Sequence, residues 1–224
     1  MTPNARWGLE AMAVQVLRAG LILLDAAGTA VQRVISLQYN PDTLSRTLTP
    51  RGTTTDSGDR LEATRLKGPP VETIKLDAEI DAADQLEHPR NNPDTVANGI
   101  QPELAAIETI IVPRSADIQA AERLAASGTI EILPLPSSLV LFVFGPRRVL
   151  PVRVQDMSVL EEAFDANLSP IRAKIGLTLR VLSVDDLAPG TRGAGLAMAA
   201  LSTREQIAKR QPATLSAFGL RGLP

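Results

Sequence analysis

The chain has no cysteine and a single histidine, His88, in 224 residues. Disulfide frameworks, thiol nucleophiles and Cys/His zinc sites are therefore excluded before any motif is sought. Aromatic residues make up only 3% of the chain, so its core has to be aliphatic. A strong excess of either charge is also lacking. With 23 basic against 25 acidic residues there is neither a nucleic-acid stripe nor a polybasic membrane patch. The longest apolar runs, Leu21–Leu24 and Leu139–Phe144, fall far short of the roughly 18–20 residues a membrane helix needs. The first 18 residues show no basic start followed by an apolar block and a cleavage site, so the expectation is synthesis and assembly in the cytoplasm.

What is present is a set of period-2 segments. Hydrophobic residues reach 44%, enough to build one substantial core. Residues 19–24 and 31–39 read as strand, turn, strand, with Gly28 supplying a positive φ. In the second of these Ile35, Leu37 and Tyr39 oppose Val34, Ser36 and Gln38. Asn40-Pro41 interrupts the strand, because proline has no amide hydrogen for a ladder, and Leu44–Leu48 resumes it.

Residues 51–70 read as a mobile Thr/Gly/Asp loop. Residues 71–80 alternate again, with Ile74, Leu76, Ala78 and Ile80 on one face. A helical turn and an exposed loop are expected over 81–99, a helix from Pro102, and another over 116–126 closed by Gly128; these helices are expected outside the sheet. Leu139–Phe144 reads as a buried strand. Residues 149–159 and 171–184 read as the arms of a long hairpin with Glu161, Glu162 and Asp165 at its tip. Beyond it, 188–195 reads as flexible, and Ser202–Glu205 has the spacing of a capping box that would start a helix.

No catalytic constellation emerges. His88 has no nucleophile motif beside it and reads as a solvated loop histidine. The carboxylates at the hairpin tip lack the pattern of a calcium loop, Asp185-Asp186 reads as a solvated strand end, and the glycines of Gly190–Gly195 read as linker glycines, having neither the order nor the Lys-Ser/Thr of a phosphate loop. The expectation is a non-enzymatic protein with no cofactor and no metal.

Four segments in order carry a family resemblance over residues 20–183. QYNPDTLSR at 38–46 is similar to the FNP-x-x-L element opening many contractile-tail tube and baseplate domains. VETIKLDAEI at 71–80, LVLFVFGPR at 139–147, and Phe164, Pro170, Arg172 and Ala173 within 152–179 resemble that family's later strands and hairpin. The chain thus resembles the tube-initiator, or LysM-type, baseplate tube protein of extracellular contractile injection systems. Phe144 stands where the family often has Trp, and Leu168-Ser169 where a Gly is common. The residues after Val184 show no LysM signature.

The resemblance implies an α+β, mainly β, tail-tube-like barrel or sandwich over 19–184, preceded by an arm (1–18) and followed by a flexible or helical adaptor tail (185–224). It implies a homo-hexameric ring that joins a trimeric spike hub to inner-tube proteins and initiates tube assembly, with baseplate wedge or sheath proteins as further neighbours in a particle released from the cell. The assembly residues it singles out are Tyr39, Asn40, Pro41, Phe164, Pro170 and Arg172. An inner-tube or tube-terminator ring, and a monomeric ligand-binding β-sandwich, stand as alternatives.

Overall fold

The computed structural model describes residues 16–25, 27–52, 65–127 and 138–222. Most of the N-terminal arm, the centre of the 51–70 loop and Gly128 lie outside the described residues. Seven strands form one antiparallel sheet: β1 (Gly20–Leu24), β2 (Val31–Ser36), β3 (Leu44–Thr49), β4 (Val71–Asp81), β5 (Leu139–Val143), β6 (Val149–Phe164) and β7 (Pro170–Val181). Their spatial order is β2-β1-β5-β6-β7-β4-β3. Four α-helices, α1 (Ala83–Leu86), α2 (Pro93–Asn98), α3 (Gln101–Glu108) and α4 (Ser115–Ala126), lie between β4 and β5, and α5 (Arg192–Ala208) follows β7.

Register puts the apolar rows on one face. Ile74, Leu76, Ala78 and Ile80 of β4 lie opposite Leu179, Leu177, Ile175 and Ala173 of β7. The row continues through Val152 of β6, Val140 and Phe142 of β5, Leu21 and Leu23 of β1 and Ile35 of β2. All of these belong to a single buried cluster, as one core demands. β5 is buried on both faces: Leu141 and its partner Pro151 face the other way and are also covered. That explains its unbroken apolar run, since a strand with no wet face gains nothing from alternation.

The sheet has to curl, and a short connection shows why. β2 and β4 are separated by four strands, roughly 24 Å if the sheet were flat. Yet Gln38, two residues beyond β2, is bonded to Asp81 at the end of β4: its Nε2 donates to the Asp81 carbonyl at 2.7 Å, and its Oε1 accepts from the Asp81 amide at 2.9 Å. A side-chain amide here does the work of a missing strand neighbour. β2 stops at Ser36, the partner of Gly20 at which β1 begins, instead of running to Tyr39.

α3 covers the seam that the ladder leaves open. Its entry is tied to β7, where the Ile100 amide donates to the Pro170 carbonyl at 2.9 Å. Its exit is tied to β2, where Arg33 donates to the Ala106 carbonyl at 3.2 Å and to the Thr109 hydroxyl. Leu104 and Ile107 enter the same cluster as the strands, so this helix completes the core and does not lie outside the sheet as the sequence suggested. α4 has no buried residue. Gly99 permits the tight entry: it has φ +58°, and a Cβ there would collide with the Pro170 carbonyl.

Two C-terminal expectations are corrected. The glycine-bearing stretch 190–195 is the start of α5, because Thr191 caps it by accepting from the Ala194 amide, and Gly193 packs against Leu139 and Leu187. Ser202–Glu205 therefore lies inside α5. Asp185 and Asp186 are both exposed, and the Asp186 carboxylate accepts from the Ser183 amide and hydroxyl and pairs with Arg180.

Replacing Gln38 by Ala leaves both main-chain groups of Asp81 without their partner. We expect it to cost about 2–3 kcal/mol, read as a lower urea midpoint with unchanged slope.

Candidate assembly surface

The residues picked out by sequence gather at the end of the sheet where β4 stops and β7 starts. Asn40 bridges backwards: its Oδ1 accepts from the Ala19 amide and its Nδ2 donates to the Leu17 carbonyl, both at 2.8 Å. It thereby fixes the entry to β1. Tyr39, Asn40 and Pro41 line a cleft of about 390 Å³ with Asp77, Glu79 and Lys174, and Tyr39 is half exposed.

Arg172 makes a forked contact to Asp81, Nε at 2.8 Å and a terminal nitrogen at 2.6 Å from the same carboxylate oxygen. Asp81 is thus held by Gln38 through its main chain and by Arg172 through its side chain. Its carboxyl lies below the ordinary carboxylate range, chiefly because it accepts from the Ala83 amide, with Arg172 adding to this against the opposing effect of burial. Burial pushes the Asp186 carboxyl up, but the Ser183 donors and Arg180 outweigh it and the net shift is down.

Phe164 and Pro170 face each other as the last pair of the β6–β7 hairpin, Pro170 being the first residue of β7. Pro170 is buried and supplies the carbonyl that anchors α3, whereas Phe164 is half exposed. The strands run further than expected, so Glu161 and Glu162 belong to β6 and the turn itself is only 165–169. Asp165 closes it, its Oδ1 accepting from the Asn167 amide at 2.8 Å and the Ser169 amide at 2.7 Å. Leu168, at the apex, has φ +64° and is 78% exposed. The closed turn sets this conformation, the Leu168 amide donating to the Asp165 carbonyl at 3.1 Å, and it costs a leucine roughly 1–2 kcal/mol that a glycine would avoid.

A second feature was not legible in the sequence. β5 pairs with β6 only as far as Val152. From Arg153 to Phe164, past a bulge between Val154 and Asp156, β6 has β7 on one side and, among the described residues, no strand on the other. This edge adds to those of β2 and β3, and open edges are templates for pairing with another chain. The length of an arm can be read from sequence, but its mismatch with a five-residue β5 is a property of register.

Among the described residues no group of His, Asp or Glu is placed to hold a metal ion, and no helix is long and apolar enough to cross a membrane. His88 is exposed. The chain matches no known protein-family profile and no curated protein.

Two outcomes follow from this geometry. Leu168→Gly relieves the apex and is expected to raise stability by about 0.5–1 kcal/mol, measured by chemical unfolding. Asp81 and Asp186 have depressed folded pKa values, so their stabilisation is present above the unfolded value of about 3.9 and is lost as pH falls through the lower folded values. The D81N/D186N double variant should accordingly show a flatter loss of stability below about pH 4 in unfolding curves taken across the acid range.

Proposed function

We propose that the chain is a structural ring component of a phage-tail-like contractile injection particle, a hexameric tail-tube-like barrel that links the spike hub to the inner tube and initiates its assembly. The observation that carries this reading is the unpaired distal half of β6. A protomer that leaves a long strand edge and a projecting hairpin open is incomplete by itself, and a neighbour in a closed ring would supply the missing strand. The resemblance stated for residues 20–183 supplies the identity of the particle. One detail of the fold fits it: where the family commonly has Gly, Leu168 occupies a glycine conformation.

The mechanism is geometric. Lateral pairing along the free edges would set ring size, and the hairpin ends would present a surface on which the first tube ring is laid. Arg172 and Asn40 act in this scheme by holding the ends of β7 and β1 in place, Phe164 by direct contact. The groove of about 430 Å³ beneath α3 combines aliphatic groups such as Ile35, Leu37, Ile80 and Ile107 with Arg33, Glu79, Asp81 and Glu103. That lining is what the ligand-binding alternative would use; the open strand edge is what favours the ring.

Native mass spectrometry of the chain, alone and with its hub and tube neighbours, tests the proposal. Hexamers, or hexamers formed only on a trimeric hub, are expected. Leu160→Lys and Phe164→Ala, both at exposed positions, should reduce ring formation at least tenfold while changing monomer stability by no more than about 1 kcal/mol. A compact monomer that binds none of these neighbours would overturn the reading.

A further inference from the structure

β6 carries opposite chemistry at its two ends. Immediately before it, Arg147 and Arg148 open onto a cleft of about 130 Å³ that they share with Arg46 of β3 and Arg204 of α5, over an aliphatic floor that includes Leu150 and Ile207. No carboxylate lines this cleft. The nearby Glu72, almost fully buried, is already engaged by two of the four arginines, Arg46 at 2.6 Å and Arg204 at 2.6 Å. Arg148 lies over the Phe144 ring at 5.4 Å, and among the described residues Arg147 forms no ion pair. The cleft thus keeps a net positive rim.

The far end of the same strand is its complement. Residues 157–169 contain Glu161, Glu162 and Asp165 and no basic residue, and they carry the exposed apolar groups Leu160, Phe164 and Leu168. The other arm, β7, brings Lys174 to 3.6 Å from Glu162 and sets Arg172 opposite it, which leaves Glu161 and Asp165 as the acids without an ion pair among the described residues. One end therefore offers an aliphatic floor with a cationic rim, the other an aliphatic apex with an acidic rim. The cleft has about the volume of four waters, which accommodates one aliphatic side chain.

We propose that the hairpin apex of one copy docks into the arginine cleft of a second copy, Leu168 entering the cleft and Glu161 meeting Arg147 and Arg148. The same molecule cannot make this contact with itself: β6 has 16 residues and holds its two ends roughly 50 Å apart. The contact is heterologous, so it propagates head to tail along the strand direction. It also accounts for the strained leucine, whose cost in the free chain is recovered when the side chain is buried. This inference does not depend on the ring being sixfold.

The test exploits charge reversal and the absence of cysteine. Sedimentation velocity at low and high salt is run on the full chain, on R147E/R148E, and on E161R. Self-association that weakens with salt and falls on the order of a hundredfold in each variant is expected, with recovery when the two variants are mixed. Leu168→Cys mixed with Arg147→Cys should give a disulfide-linked dimer on oxidation, whereas either alone should give far less. Wild-type chain that stays monomeric at every salt, or association indifferent to both reversals, sinks the proposal. Wild-type rings that form laterally but never stack would remove this contact and leave the ring reading standing; salt-sensitive stacks without rings would do the opposite.

Discussion

The fold depends on how the seam between β2 and β4 is closed. The seven strands form an open antiparallel sheet with one core face, and no backbone ladder joins β2 to β4. Gln38 substitutes for it, offering one donor and one acceptor to the amide and carbonyl of Asp81 in the way a strand residue would. α3 then covers the remaining gap, tied at one end to Pro170 and at the other to Arg33. Ile35 and Leu37 stay dry because that lid exists.

The opposite end is closed by ions. Glu72 sits almost fully buried at the start of β4, where Arg46 from the edge strand and Arg204 from α5 converge on its two oxygens. A carboxylate so placed would be costly if unpaired, so it specifies where both partners dock more than it adds to stability. Through Arg204 it holds α5 against the sheet, and Arg51 ties the loop after β3 to Asp185 in the segment that leads into that helix. The two closures differ in kind, neutral amide at one end and ion pairs at the other. Only the second leaves surplus charge, because Glu72 engages two of the four arginines around the cleft.

Much of the sheet was legible because a half-buried strand writes its period into the chain. The rows Ile74 to Ile80 and Ala173 to Leu179 stand as expected, as does the apolar run of β5. Gly28 does adopt a positive φ, and the break at Asn40-Pro41 is real. The break hid its purpose, however: it carries the chain from one edge of the sheet to the other, which no local pattern records. The start of α5 was missed for a physical reason also. Glycine is a poor helix former, but Gly193 is needed where a side chain would press on Leu139 and Leu187, and Thr191 provides the cap. At the candidate surface the sequence pointed to Phe164, Pro170 and Arg172 without separating their parts. Pro170 anchors a helix, Arg172 grips Asp81, and Phe164 alone faces outward.

The open strand edges and the charged strand ends act in perpendicular directions. Hydrogen bonds across a ladder run at right angles to the strands, so pairing along β2, β3 or distal β6 would add neighbours side by side. Contacts between the arginine cleft and the hairpin apex run along the strands and would add neighbours end to end. The two kinds also differ in chemistry. Main-chain pairing is little affected by salt, while exposed charge pairs are screened within about 8–10 Å at ordinary ionic strength. A single protomer can therefore carry both contacts without one constraining the other, and ionic strength should act on the end-to-end contact far more than on the lateral one. What couples them is β6: its 16 residues form the free edge and also set the separation of cleft and apex. Shortening the hairpin would thus remove lateral pairing surface and shift the axial repeat together, whereas changing its terminal charges would alter only the latter's strength.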